Sequence, residues 1–93
     1  MPINRTVTIN IMWYVYILRC NDRSYYTGIT SDLERRLNEH NRRTTGAKYT
    51  KTRRPVTLEY KKSFKTRSAA LKREAAIKKF SRAQKERLIA SRA

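Results

Sequence analysis

One cysteine, one histidine and seven acidic residues are a thin supply of the groups that staple small proteins or ligate metals in clusters. With Cys20 alone, no intrachain disulfide and no cysteine-rich zinc site can form. With His40 the single histidine, the usual zinc ligand sets are missing as well. Two glycines and two prolines supply no flexible or proline-rich linker. No segment approaches the roughly 18 consecutive apolar residues of a transmembrane helix, and no signal-peptide pattern opens the chain. A free thiol without an export signal leads us to expect a reducing, cytoplasmic setting. At 93 residues the chain has room for one domain with a thin core. Such a domain buries only about two thirds of the surface its unfolded chain exposes. Second domains, long linkers and internal repeats are not expected.

What the chain has in excess is positive charge. Lysine and arginine number 23 against 7 acids, a formal charge of +16 and a sequence pI near 10.8. Self-repulsion on that scale works against a compact fold, and a polyanionic partner offsets it. Nucleic acid is the expected partner, with DNA favoured and RNA left open. A membrane surface fits poorly, and a monomer or weak dimer is expected.

Residues 1–11 (MPINRTVTINI) lack the charge density of the rest. An added strand through Val7, Ile9 and Ile11 is one reading. A disordered arm, or an extension upstream of a domain spanning 12–93, is preferred. From Trp13 to Cys20 the run WYVYILRC is aromatic and β-branched, a strand signal. Asn21-Asp22-Arg23-Ser24 is turn chemistry, and extended structure resumes from Tyr25 to Ile29, completing a β-hairpin. Ser31 is expected to cap a helix to about Asn41, with Glu34 completing a capping box. Residues 42–55 read as a basic loop and Val56–Phe64 as a third strand. Thr66 or Ser68 caps a second helix through about Lys79, and Ser81 caps a short third. The fold class is therefore α/β: a small three-stranded antiparallel sheet packed with helices in the order β-β-α-β-α-α.

On the first helix, Leu33, Arg36, Leu37 and His40 share one arc, while Glu34, Arg35 and Glu39 are expected to face outward. An arginine and a histidine on a core-facing stripe need partners, because unpaired buried charge is expensive. The plainer alternative is that they edge the stripe and snorkel to water. On the second helix Glu74 is the single acid amid Arg67, Lys72, Arg73, Lys78 and Lys79, bordering an apolar face of Ala70, Leu71 and Ile77. A surface salt bridge would explain it at about 0.3–0.5 kcal/mol. A bound Mg²⁺ would explain it too, since that ion takes one or two carboxylates with waters and phosphate. In the hairpin, Tyr14, Tyr16, Leu18 and Cys20 share one face of the first strand. Single tyrosines in strands are mostly core or sheet-surface aromatics. The ordered set Tyr16-x9-Tyr26-x-Gly28-x7-Arg36-x3-His40, followed by Glu74, is what stands out.

That set resembles the GIY-YIG endonuclease domain. Tyr14-Val15-Tyr16 stands where the family has Gly-Ile-Tyr, and Tyr26-Thr27-Gly28 where it has Tyr-Ile-Gly. Arg36 and His40 lie where the family's helix carries its arginine and, in some members, a histidine. Glu74 matches the metal-binding glutamate. The resemblance covers about residues 12–90 and is closest to small stand-alone bacterial members. Tyr14 and Thr27 depart from the motifs, and no asparagine follows Asn41 to match a polar residue that many members place near the end of the site.

The resemblance implies metal-dependent hydrolysis of DNA phosphodiesters, directed by structure rather than sequence, in DNA repair or recombination. Tyr16 would take a proton from water, its pKa lowered from near 10 by Arg36 or the metal. His40 would accept the tyrosine proton or orient the ring. Arg36 would neutralise charge on the phosphate, Tyr26 would position water or phosphate, and Glu74 would hold one Mg²⁺ or Mn²⁺. Gly28 is expected to permit close approach of the backbone. Arg42, Arg43, Lys48, Lys51, Arg53 and Arg54 are expected to follow the nucleic-acid backbone, with Tyr49 stacking on an exposed base. A non-catalytic nucleic-acid-binding module is the alternative, and charge alone supports it equally. Glu59-Tyr60-Lys61 looks like a piece of the restriction-enzyme core, but neither Pro2 nor Pro55 precedes the aspartate that core needs.

Overall fold

The computed structural model describes residues 11–42 and 47–91. Arg43 and residues 1–10, on which the expected arm falls, lie outside the described residues. Strands β1 (Trp13–Arg19), β2 (Tyr25–Thr30) and β3 (Thr57–Phe64) form one sheet in the order β2-β1-β3, both pairings antiparallel. Helix α1 (Leu33–Asn41) follows the hairpin. A single turn α2 (Lys48–Lys51) precedes β3, and α3 (Arg67–Lys78) and α4 (Arg82–Ala90) close the chain. The α/β class and the strand–helix order stand as expected, with α2 added. No helix among the described residues is long and apolar enough to cross a membrane.

The central strand explains its own composition. β1 is covered on both faces, so its apolar run is continuous rather than alternating. Val15 and Ile17 are fully buried against Tyr60 and against Ala70 and Ile77 of α3, with Leu88 and Ile89 of α4 beside them. Tyr16, Leu18 and Cys20 turn the other way, onto Val56 and onto Leu33 and Leu37 of α1. The site grows from this second face.

The hairpin turn is held by Asp22, whose Oδ1 accepts from the backbone N–H and hydroxyl of Ser24. Arg23 takes the left-handed conformation (φ 70°). Thr66 caps α3, and Ser81 with Gln84 builds a full capping box on α4.

Two expectations need correction. Asp32, not Ser31, caps α1: its Oδ1 accepts from Arg35 N–H at 3.1 Å, while Thr30 Oγ1 accepts from Asp32 N–H. Glu34 is thereby drawn into the first helical turn and forms no capping box. The basic loop also contains α2, which lacks a side-chain cap and depends on tertiary contacts.

Candidate functional site

Tyr16 pairs across the sheet with Gly28, and its ring lies over that glycine. A Cβ at position 28 would stand 2.6 Å from the Tyr16 hydroxyl and 2.8 Å from its ring carbon, closer than packed atoms approach. Glycine is therefore demanded by a side chain crossing the strand. The expected reason, approach of a backbone, is replaced by this one.

The hydroxyl reaches His40 Nε2 at 2.9 Å, and His40 Nδ1 lies 2.9 Å from Thr50 Oγ1. Counting protons assigns the tautomer. Thr50 has one hydroxyl hydrogen and donates it to the Ala47 carbonyl at 2.9 Å. Its oxygen must then accept from His40 Nδ1–H, which leaves the Nε2 lone pair to accept from the Tyr16 hydroxyl. Tyr16, His40 and Thr50 are all buried, so the chain Tyr16→His40→Thr50→Ala47 is held within the fold. His40 does not snorkel.

Electrostatics hold both rings neutral. Burial, followed by the Arg36 charge, pushes the His40 pKa down to about 4. Burial and then Tyr26 push Tyr16 up to about 12, outweighing the hydrogen bond and charge that Arg36 offers the hydroxyl. Arg36 does lower Tyr16 as expected, but desolvation of a would-be tyrosinate is the larger effect and leaves the net pKa raised.

Arg36 is half-buried and pairs with Glu39 at 2.9 Å. Glu39 also pairs with Arg35 at 2.8 Å, and Arg36 holds its carboxyl below the ordinary range. Glu39 therefore turns back along the helix toward Arg36 rather than facing outward. Tyr26 completes an aromatic group: its ring centroid lies 5.1 Å from His40, 6.3 Å from Tyr16 and 6.0 Å from Tyr49.

Glu74 sits on the stripe of α3 that carries buried Ala70 and Ile77, its side chain 16% exposed. It pairs with Lys78 at 3.3 Å, the plain salt bridge weighed above, and its charge is felt at Tyr16. Among the described residues no three acid, cysteine or histidine side chains gather as a metal cage. A single, partly buried carboxylate still suits Mg²⁺, which fills its shell with water and substrate oxygens.

The family model of the GIY-YIG catalytic domain matches residues 12–87. The chain belongs to the GIY-YIG family. It is 57% identical over 76 residues to a UPF0213 protein of Syntrophus aciditrophicus, covering 82% of this chain and 87% of that one. It is 53% identical to a UPF0213 protein of Halobacterium salinarum, over 83% of this chain and 99% of the relative. That relative is thus hardly longer than the stretch it shares with this chain. Two solution NMR structures share the fold. One is a UPF0213 protein from Bacillus halodurans (TM-score 0.56, 42% identity, 85% and 83% of the two chains). The other is a protein from E. faecalis (TM-score 0.60, 48% identity, 86% and 84%).

Within the GIY-YIG domain, Tyr16, Tyr26, Arg36 and His40 come together, while Glu74 stays on α3 against Lys78 and acts on Tyr16 through its charge. Arg42, Lys48 and Lys51 are exposed near them. Arg53 and Arg54 are partly committed inside the protein. Arg53 pairs with Asp22 at 3.0 Å, and Arg54 Nε donates to the His40 carbonyl at 2.7 Å. Thr50, Glu39 and Asn41 were missed from sequence. Asn41 clamps the end of α1 to the start of β3 through two hydrogen bonds with Val56. The signal for Thr50 was present, since a histidine aimed at the core needs a partner for each ring nitrogen.

Proposed function

We propose that this GIY-YIG domain is a metal-dependent endonuclease that hydrolyses DNA phosphodiester bonds. The reading is carried by the 2.9 Å hydrogen bond from the Tyr16 hydroxyl to a neutral His40, with Arg36 beside the same oxygen. Because Tyr16 is protonated at neutral pH, it acts as a relay. Its oxygen takes a proton from the attacking water while its own proton passes to His40 Nε2. Thr50 accepts from Nδ1–H throughout, keeping the resulting imidazolium in the same ring orientation. Arg36, steadied by Glu39, directs its charge at the phosphate as the pentavalent centre forms. Tyr26, packed beside His40 and Tyr16, would position the water or phosphate through its hydroxyl.

Glu74 would hold Mg²⁺ or Mn²⁺, and the ion, when bound, would supply Lewis-acid charge to the leaving oxygen. Exposed Arg42, Lys48 and Lys51 would contact phosphates and not base edges, so recognition follows strand structure. Repair or recombination is the matching setting. A cytoplasmic location belongs to the same reading: Cys20 is buried and free, its thiol pKa raised by burial.

The test is cutting of a panel of single-stranded, duplex, flap and branched DNAs with Mg²⁺, with EDTA, and with Glu74→Gln. Expected is metal-dependent cutting that falls by at least about 10²-fold in the variant, with DNA affinity retained. Cutting by Glu74→Gln at the wild-type rate overturns the metal assignment. Salt-sensitive binding without cutting of any substrate turns the reading to a binding module.

A further inference from the structure

Tyr49 is the most exposed aromatic among the described residues, 38% accessible, yet the fold fixes it from below. The Arg53 guanidinium lies 4.0 Å from its ring centroid. That guanidinium is itself clamped, its Nε donating to Asp22 Oδ2 at 3.0 Å and one terminal nitrogen to the Tyr49 carbonyl at 2.8 Å. The Asn21 N–H adds a hydrogen bond to the Arg53 carbonyl, tying this segment to the hairpin turn. Beside it Tyr26 packs against the same ring, tilted by 31°. An open cavity lined by Lys48, Tyr49, Lys51, Thr52 and Arg53 adjoins the ring. A flat aromatic plate, backed by a fixed cation and rimmed by lysines, stands two ring-to-ring steps from Tyr16.

We propose that Tyr49, backed by Arg53, is a stacking platform for one unpaired nucleobase of the DNA strand being cut. The platform selects strands with an unpaired nucleotide beside the scissile phosphate over continuous duplex. Its location relative to the phosphate rests on the nuclease reading, which it deepens to a substrate class. A base inside a duplex has both faces covered by its neighbours and offers none to Tyr49. An unpaired base offers a free face, and stacking on an aromatic is worth about 1–3 kcal/mol per base. A guanidinium beneath the ring adds cation attraction, and Lys48 and Lys51 meet the flanking phosphates. The ring is ordered before the base arrives, so little side-chain entropy is lost on stacking.

Binding separates this from cleavage. In EDTA, a single-stranded oligonucleotide carrying one 2-aminopurine, and the same strand in a duplex, are titrated with wild type, Tyr49→Leu and Tyr49→Phe. Leucine preserves apolar packing on Tyr26 and removes the flat face, while phenylalanine keeps the face. The expected result is quenching of the single-stranded probe by wild type and about tenfold weaker binding of it by Tyr49→Leu. Duplex affinity should change by less than about twofold, and Tyr49→Phe should bind as wild type. Equal losses on single strand and duplex overturn the platform, as does a phenylalanine variant no better than leucine. Failure of wild type to bind the single strand overturns it too. If no DNA is cut in Mg²⁺ while the single-strand effect persists, the nuclease reading fails and the platform stands. If DNA is cut but Tyr49→Leu binds both probes as wild type, the platform fails alone.

Discussion

A fully buried imidazole resists gaining a proton, and His40 has a further reason to resist. Its Nε2 already accepts from Tyr16, its Nδ1 already donates to Thr50, and Arg36 stands nearby. The folded pKa of about 4 lies below the ordinary value of 6.5. Between those values the unfolded chain binds a proton that the folded chain refuses, so folding stability rises with pH across the window. The contribution is complete above about pH 6.5 and is lost as pH falls toward 4, about 3 kcal/mol in all, since one pH unit of displacement is worth about 1.4 kcal/mol. His40 is the single histidine. Asp22 and Glu39, whose pKa values are lowered, add losses of the same sign at the acidic end of the window, which is why the comparison with His40→Gln isolates the imidazole. Urea unfolding midpoints from pH 7 to 4 should fall steeply in wild type and much less in His40→Gln. A flat wild-type profile would sink the assignment. The residues at this scale were legible because position on a stripe and a demand for partners are both sequence properties. The neutrality of Tyr16 was not legible, because it depends on how much water the surrounding elements exclude.

Elements were readable where local chemistry decides them. The hairpin turn and the caps Thr66 and Ser81 follow from side chains bonding to backbone within three residues. The α1 cap moved by one residue because Thr30 holds the Asp32 N–H and turns Asp32, not Ser31, toward the first helical amides. The turn α2 had no local signal. Its residues Lys-Tyr-Thr-Lys include two poor helix formers, and Ala47 supplies no side-chain cap. It forms because Thr50 is drawn inward to His40 and Arg53 is held to Asp22. Thr50→Val keeps the shape of the side chain but leaves a buried N–H on His40 without an acceptor. That should cost about 1–3 kcal/mol. Cutting should slow through kcat with KM little changed, and Thr50→Ser should restore both stability and rate. Unfolding curves and steady-state kinetics on the three proteins test this. Wild-type stability and rate in Thr50→Val would mean that α2 does not position His40.

A formal charge of +16 invites the view that the whole surface binds nucleic acid. The structure divides that charge. On the face of α3 and α4, Lys78 and Arg82 pair with Glu74 and Glu86. Arg67, Arg73 and Arg82 lie over Trp13, Phe80 and Tyr25, covering the rim of the core. Those cations serve the fold at least in part, as aromatic-capping arginines do. Around the site, among the described residues, Arg42, Lys48 and Lys51 are exposed and Arg36 is partly open, enough for about four phosphates. Each neutralised phosphate releases counterion, so log K against log salt should fall with a slope of about −3 to −4 on duplex DNA. Replacing Lys48 and Lys51 together by alanine should make the slope shallower by about two. A slope steeper than about −8 would mean that the α3–α4 face engages DNA as well. A salt-independent affinity would remove the phosphate backbone from the account altogether. The measurement is a series of equilibrium titrations at stepped salt concentrations. It tells a local cationic rim around Tyr16 from a uniformly adhesive surface, which total charge alone never does.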